Sequence, residues 1–318
     1  MTPIPKVPAG NSNTIMPGAF ELPKPSHIQG ALELAWRTIR NAPRPGVEGV
    51  HVFGVFGRDV MVRFLPANPH EHMVIGRHEE CDIVLRADDT VSLRHLLARA
   101  IRLQDGSTAL RLLDLGTHRP FLLHDGTMHR ALVATGPFAV AVGRYVIGGI
   151  PADAERYETQ GGPYRAPALI HSARRIPHSA LRTPVGLRRS RITLMPGSRF
   201  VTQVPGWPED GYVRLTLSRG GAVSSIVIDE TTLENGVLIG RATRCLDRGF
   251  KTILTTSISR VHLMLLRDGS QDVAIDLCST QGTYANQARL RSVCLPPSRC
   301  RLKIGFVDPV DLAWDRDV

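Results

Sequence analysis

Three short blocks occur twice in this chain, in the same order and at almost one spacing. Gly76-Arg77 returns as Gly240-Arg241, Ser92…His95 as Ser259…His262, and Asp114-Leu115 as Asp276-Leu277, at offsets of 164, 167 and 162 residues. Three blocks recurring together mark a duplicated unit, so whatever one copy folds into, the other must fold into as well. A length of 318 residues accommodates two such units with connecting segments.

Between the blocks the apolar residues come in short runs separated by turn signals. The first copy has Val60–Leu65, Met73–Ile75, Cys81–Leu85 and Leu110–Leu115, with Asn68-Pro69 and Asp125-Gly126 between runs. The second has Tyr212–Leu217, Ser225–Ile228, Val261–Leu266 and Val273–Leu277, punctuated by Gly220-Gly221 and Asp268-Gly269. Aromatics are only 5% of the chain while glycine and proline are plentiful, which favours many short strands over a helical bundle. The spacing predicts an all-β fold of two β-sandwiches. The one membrane-like run, Ala131–Ile150, is broken by Pro137 and Arg144 and reads as two buried strands. The expected layout is a disordered segment over 1–27, a short helix over 28–42, one sandwich over 47–150, a linker over 151–209 and a second sandwich over 210–318. Leu32, Leu34, Ala35, Trp36 and Ile39 give the helix its apolar stripe, and Pro43 and Pro45 stop it.

The formal charge of +10 is unevenly placed, with eight arginines and no acid between Arg165 and Arg199. No aromatics are interleaved for base stacking, so this tract suits acidic or phosphorylated proteins better than nucleic acid. Ser179, Thr183 and Ser190 stand beside its basic residues as candidate phosphorylation sites, and a phosphorylated Thr183 would reach the second sandwich in cis. The five cysteines include no C-x-x-C pair, which supports neither a disulfide framework nor a zinc site. No catalytic motif is present, so the expectation is a soluble, cytoplasmic, non-enzymatic protein without metal or cofactor.

The chemistry concentrates in the second copy. Arg241, the Ser259-Arg260 pair and Ser279-Thr280 place guanidinium forks and hydroxyls on consecutive turns, and forked N–H donors match the oxygens of a phosphate. These blocks closely resemble the GR, SRxH and S-T-N-G-T-x-x-N signature of forkhead-associated (FHA) domains over roughly residues 210–314. That resemblance implies a β-sandwich whose loop end binds phosphothreonine peptides. It implies phosphate contacts from Arg241, Ser259, Arg260 and Thr280, with Gln281 standing where the family has a peptide-gripping asparagine. Ser279, Gly282, Asn286 and a non-contacting His262 would support the loop.

The first copy resembles the family less closely. Arg77 and Ser92 are kept, but Leu93 replaces the arginine after the serine and Arg94 sits one position later, on the opposite face of a strand. Its loop reads Thr117-His118-Arg119-Pro120-Phe121, one residue later than a simple reading of the motif places it, with His124 in place of the last asparagine. Arg77, Ser92 and Arg94 thus form a second, degenerate candidate. Between Arg241 and Ser259 the second copy is longer than the first, so residues near 246–251 should enlarge a loop near the binding end. The implied partner is a threonine-phosphorylated protein, a Ser/Thr kinase or its substrate, and the chain would be an adaptor. The alternative is a scaffold that docks without phosphate.

Overall fold

The computed structural model describes residues 25–41, 46–103, 106–153, 213–246, 248–268 and 271–316. The expected disordered segment, up to residue 24, and the linker with its arginine tract, from residue 154, lie outside these.

Helix α1 (Pro25–Arg40) opens the described chain. It begins a turn earlier than the stripe predicts, so residues 25–27 are helical. Proline is tolerated in a first turn because its missing N–H would have no intrahelical acceptor. Eleven strands follow in the first unit: β1 (Gly49–Phe56), β2 (Asp59–Pro66), β3 (Met73–Gly76), β4 (Ile83–Val84), β5 (Leu96–Arg102), β6 (Thr108–Asp114), β7 (Phe121–Leu122), β8 (Met128–His129), β9 (Ala131–Thr135), β10 (Phe138–Val142) and β11 (Tyr145–Pro151). The run 131–150 thus holds three strands, because Gly136 and Gly143 both turn with positive φ. The strands form two sheets, in the orders β2-β1-β11-β10-β7-β8 and β4-β3-β5-β6-β9.

The second unit contains β12 (Val213–Arg219), β13 (Ala222–Ile228), helix α2 (Glu230–Asn235), β14 (Val237–Ile239), helix α3 (Arg248–Lys251), β15 (Leu263–Asp268), β16 (Gln271–Asp276), β17 (Thr283–Ala285), β18 (Ala288–Leu290), β19 (Ser292–Leu295), β20 (Arg299–Ile304) and β21 (Val310–Asp315). Its sheets run β13-β12-β21-β20-β17-β18 and β14-β15-β16-β19, the order of the first unit strand for strand apart from β4. The extra residues near 246–251 are anchored and form no free loop. They make α3, whose Phe250 is buried in the second unit's core.

Each unit closes a core between its two sheets, around Ile75, Leu96, Leu112 and Val140 in the first and around Ile239, Leu263, Leu265 and Trp314 in the second. Side chains alternate across a strand, so Val74, Leu97 and Leu113 project from the other face of the first unit's smaller sheet. They meet Leu238, Met264, Leu266, Val273 and Ile275 from the smaller sheet of the second unit in one buried cluster. The two sandwiches therefore pack against each other through these sheets. A further cluster seats Ile28, Leu32, Ala35 and Trp36 of α1 on Phe53, Val55, Ala139 and Val146, covering the outer face of the first unit's larger sheet.

Arginines rim the joint. Arg99 pairs with Asp268 at 3.2 Å, Arg291 with Asp82 at 2.9 Å, and Arg111 donates to the carbonyls of Arg267 (3.1 Å) and Glu234. Arg111 is 3% exposed and its pKa is lowered by burial, an arrangement that persists because carbonyls and Asp268 receive its donors.

Candidate functional site

The site sits where the turns after β14, before β15 and after β16 converge. Gly240 must be glycine because a Cβ there would meet the Arg260 carbonyl at 2.4 Å. The close approach lets Arg241 N–H donate to Ser259 O (3.3 Å) and Ala242 N–H to Arg260 O (2.8 Å), joining the first two turns. Arg241 Nε–H donates to the Ile258 carbonyl, which fixes the guanidinium while leaving its terminal nitrogens uncommitted to that bond. The Ser259 hydroxyl accepts from Thr280 N–H at 3.1 Å and so ties the third turn to the other two, its own proton remaining to be donated.

His262 is fully buried beneath this junction. Its Nδ1 accepts from Ser259 N–H (3.3 Å) and its Nε2 meets the Gly282 carbonyl (3.0 Å), a pairing satisfied by the neutral ring with its proton on Nε2. Burial lowers its pKa, with Asp276 opposing. Asp276 holds the loop from below: its oxygens accept from Ser279 N–H (2.7 Å), Ser279 Oγ (2.6 Å) and Thr283 Oγ1 (2.7 Å). Ser279 Oγ in turn accepts from Gly282 N–H at 3.0 Å. Gly282, with φ 75°, takes the left-handed conformation the turn needs. Asn286 and Gln287 also have positive φ, the signature of a two-residue hairpin turn between β17 and β18, so Asn286 shapes the hairpin through its backbone.

The positions expected to face a ligand divide clearly. Arg241, Arg260 and Thr280 are exposed, and Ser259 is at their junction. Gln281 is half-buried, and its side-chain oxygen accepts from Val307 N–H (3.3 Å), so it serves the loop between β20 and β21 as well as any ligand. Arg289, which the motif reading missed, donates to the Ser279 carbonyl (2.8 Å) and adds a third exposed guanidinium. Its signal was weak in the sequence because it lies on the hairpin beyond the signature.

The first unit repeats the supports but not the surface. Arg77 Nε–H donates to Val91 O (3.1 Å), Ser92 N–H to His95 Nδ1 (3.1 Å), and His95 Nε2 meets Arg119 O (2.9 Å). Asp114 receives Thr117 N–H as Asp276 receives Ser279 N–H, so Thr117 is the counterpart of Ser279 and the loop is not one residue late. His118 then stands at the Thr280 position. Arg94 is corrected as a ligand contact: it is 5% exposed and lies in the joint between units, donating to the carbonyls of Leu277 and Cys278. Its displacement by one residue turned it to the opposite face, where Val261 projects in the second unit. Ser92 Oγ faces Arg244 Nη1 of the second unit at 3.4 Å, and Arg244 also donates to Arg94 O (3.2 Å). Arg77 has its own anion, with Asp89 at 3.5 Å.

Among the described residues no cluster of side chains is arranged to hold a metal ion, and no helix is long and apolar enough to cross a membrane. No curated protein matches the sequence. Three solved structures are similar to part of the chain. The FHA-1 domain of Mycobacterium tuberculosis Rv1747 is 29% identical, covering 32% of this chain and 95% of its own, with a TM-score of 0.25. Mycobacterium tuberculosis EmbR, solved with a low-affinity phosphopeptide, is 20% identical over 33% of this chain and 24% of its own, with a TM-score of 0.24. The yeast Dun1 FHA domain, solved with a doubly phosphorylated peptide, is 11% identical over 39% of this chain and 90% of its own, with a TM-score of 0.29. The family model of the FHA domain matches residues 237–306, the stretch that holds all three converging turns, and the second unit of this chain is an FHA domain.

Proposed function

We propose that the second unit binds a phosphothreonine segment of a partner protein, and that the chain is an adaptor in Ser/Thr kinase signalling. The observation that carries this reading is that the turns bearing the exposed Arg241, Arg260 and Thr280 are joined through the buried Ser259 over a pre-built hydrogen-bonded base. A phosphate dianion there would accept from the forked Arg241 and Arg260 and from the Ser259 and Thr280 hydroxyls. Such charge-assisted bonds are the strong class, and the Arg241 guanidinium and the Ser259 hydroxyl are already held in place, which lowers the ordering cost of binding. Ser279, Gly282, His262 and Asn286 set the loop and touch no ligand. The first unit keeps the base but not the donors, and acts as the second unit's support.

The test is titration of the full chain with threonine-phosphorylated and unphosphorylated versions of one peptide library. Binding confined to phosphorylated members, and lost in Arg241→Ala, supports the reading; equal binding of both versions overturns it. The second reading, a scaffold that docks without phosphate, is favoured by the apolar tip of the β20–β21 loop, where Phe306 is 73% exposed and contacts Tyr284. It is distinguished by equal binding of both peptide versions, lost on Phe306→Ala.

A further inference from the structure

Two of the five cysteines belong to different units yet lie together. Cys81 is buried in the turn after β3; Cys278 is half-buried after β16, with φ 54° at the base of the recognition loop. Both take part in the cluster between the units. Their segments are clamped from two sides. The Cys81 thiol donates to Leu93 O at 3.3 Å, and the next residue, Arg94, donates to the Cys278 carbonyl. Beyond them Arg291 pairs with Asp82 at 2.9 Å. Within this clamp the Cys278 side chain packs against the buried cluster that contains Cys81, and the two thiols lie near enough to shift each other's pKa.

The duplication does not repeat this arrangement. Cys245 occupies the place of Cys81 in the second unit, donating to Arg260 O at 3.3 Å, but the counterpart of Cys278 in the first unit is Gly116. One thiol pair therefore crosses the joint, and it lies next to Ser279.

We infer that Cys81 and Cys278 are an oxidation site that closes into a disulfide between the two units, with a small peroxide as oxidant. The Cys278 thiol lowers the Cys81 pKa, and the Arg94 guanidinium works in the same direction against desolvation. The Cys278 thiol is pushed up and keeps its proton, and burial pushes the Cys245 thiol up to about 12, which leaves it unreactive. The Cys81 thiolate attacks one peroxide oxygen, the O–O bond breaks, and the hydroxide released takes up a proton to leave as water. Cys81 is then a sulfenic acid. The Cys278 sulfur attacks the Cys81 sulfur, the S–O bond breaks, and the hydroxide leaves as water with the Cys278 proton. Two thiols are oxidised, one peroxide is reduced to two waters, and a dithiol in a reducing compartment restores the starting state. Entry is from the half-exposed Cys278 side. The product fixes the first unit covalently to the residue before Ser279.

The experiment uses the full chain, reduced, then exposed to hydrogen peroxide, alkylated with iodoacetamide, digested and mass-mapped. The expected result is a peptide pair joining Cys81 to Cys278, released by dithiothreitol, unchanged in Cys245→Ser and absent in Cys81→Ser and Cys278→Ser. The serine replacements are nearly isosteric, and circular dichroism checks that they fold. Alkyl groups or separate oxygen adducts on Cys81 and Cys278 of the parent protein overturn the inference, as does a bridge from either one to another cysteine. The result is independent of phosphopeptide binding, so the bridge and the proposed function can fail separately.

Discussion

The two units run the same strand order and use the same buried histidine, aspartate and tight glycine approach, yet present opposite surfaces. In the second, Arg260 follows the serine, stands exposed beside Arg241, and the serine hydroxyl holds Thr280. In the first, Leu93 takes that position, Arg94 has moved into the joint, and the serine faces Arg244 of the neighbour. Their other faces differ too. The larger sheet of the first unit is apolar on both sides and carries α1, whereas β12 of the second alternates buried and half-exposed residues in the manner of a strand with one solvated face. One scaffold thus carries an edge of exposed arginines in one copy and turns its counterpart residues toward the neighbouring unit in the other. What separates them is a handful of surface residues, because the hydrogen bonds that set the turns lie underneath.

The comparison breaks most completely at the joint. Leu97 is fully buried and faces the second unit, so Leu97→Asp places an unpaired charge in the shared cluster. The expected cost is more than about 4 kcal/mol in urea unfolding, with the units separating in small-angle scattering. An unchanged profile would mean that the units do not depend on each other. Next in size is the recognition arginine. Arg241→Ala should weaken phosphopeptide binding by about 2–3 kcal/mol with the fold intact, while Arg77→Ala in the first unit leaves affinity unchanged. Calorimetric titration of both variants checks the asymmetry, and equal losses would erase it.

Much of this was legible in the residues. The duplication and the short strands follow from spacing and turn chemistry, whereas a supporting role for His262 is what the resemblance to FHA domains implies. The joint also left a trace: Leu263-Met264-Leu265-Leu266 and Leu96-Leu97-Ala98 are apolar at every position, whereas a strand with one wet face alternates. Such a run fits a buried strand of an isolated sandwich equally well, so the pattern alone did not locate the partner. The arginine partners were not legible at all. Arg94, Arg111 and Arg244 donate to backbone carbonyls, and a carbonyl has no signature in sequence. For the same reason the engagement of Gln281 by Val307 N–H could not be read from the motif.

The buried histidines of the two units give a smaller effect. Burial lowers His72 and His95 to about 4 and lowers His262 as well. Folded-state values below the unfolded value mean that the unfolded chain binds the extra protons. The stability these groups contribute is complete above the unfolded value and is lost as pH falls from there toward the folded one. Between pH 7 and pH 5 the loss should be on the order of 1–2 kcal/mol for each of His72 and His95. Asp114 works the other way, since burial raises its carboxyl, and its contribution grows as pH falls through that raised value. Urea midpoints at the two pH values check this, and His95→Gln should flatten the slope; a flat profile in the parent protein would show these rings to be solvated.

The smallest effect concerns the carboxylate beside the first unit's arginine. Asp89 is 96% exposed and stands 3.5 Å from Arg77, so the pair is a surface contact screened by water. Asp89→Asn should change stability by less than about 0.5 kcal/mol. If Asp89 alone blocked the first unit's site, freeing Arg77 would create phosphopeptide affinity there. The geometry argues otherwise: Leu93 supplies no donor, Arg94 is spent on the Leu277 and Cys278 carbonyls, and Ser92 faces Arg244. One unpaired guanidinium cannot replace three missing contacts, so the double variant Arg241→Ala with Asp89→Asn should bind no phosphopeptide. Affinity recovered in that double variant would show that the first unit is a masked site and not a lost one.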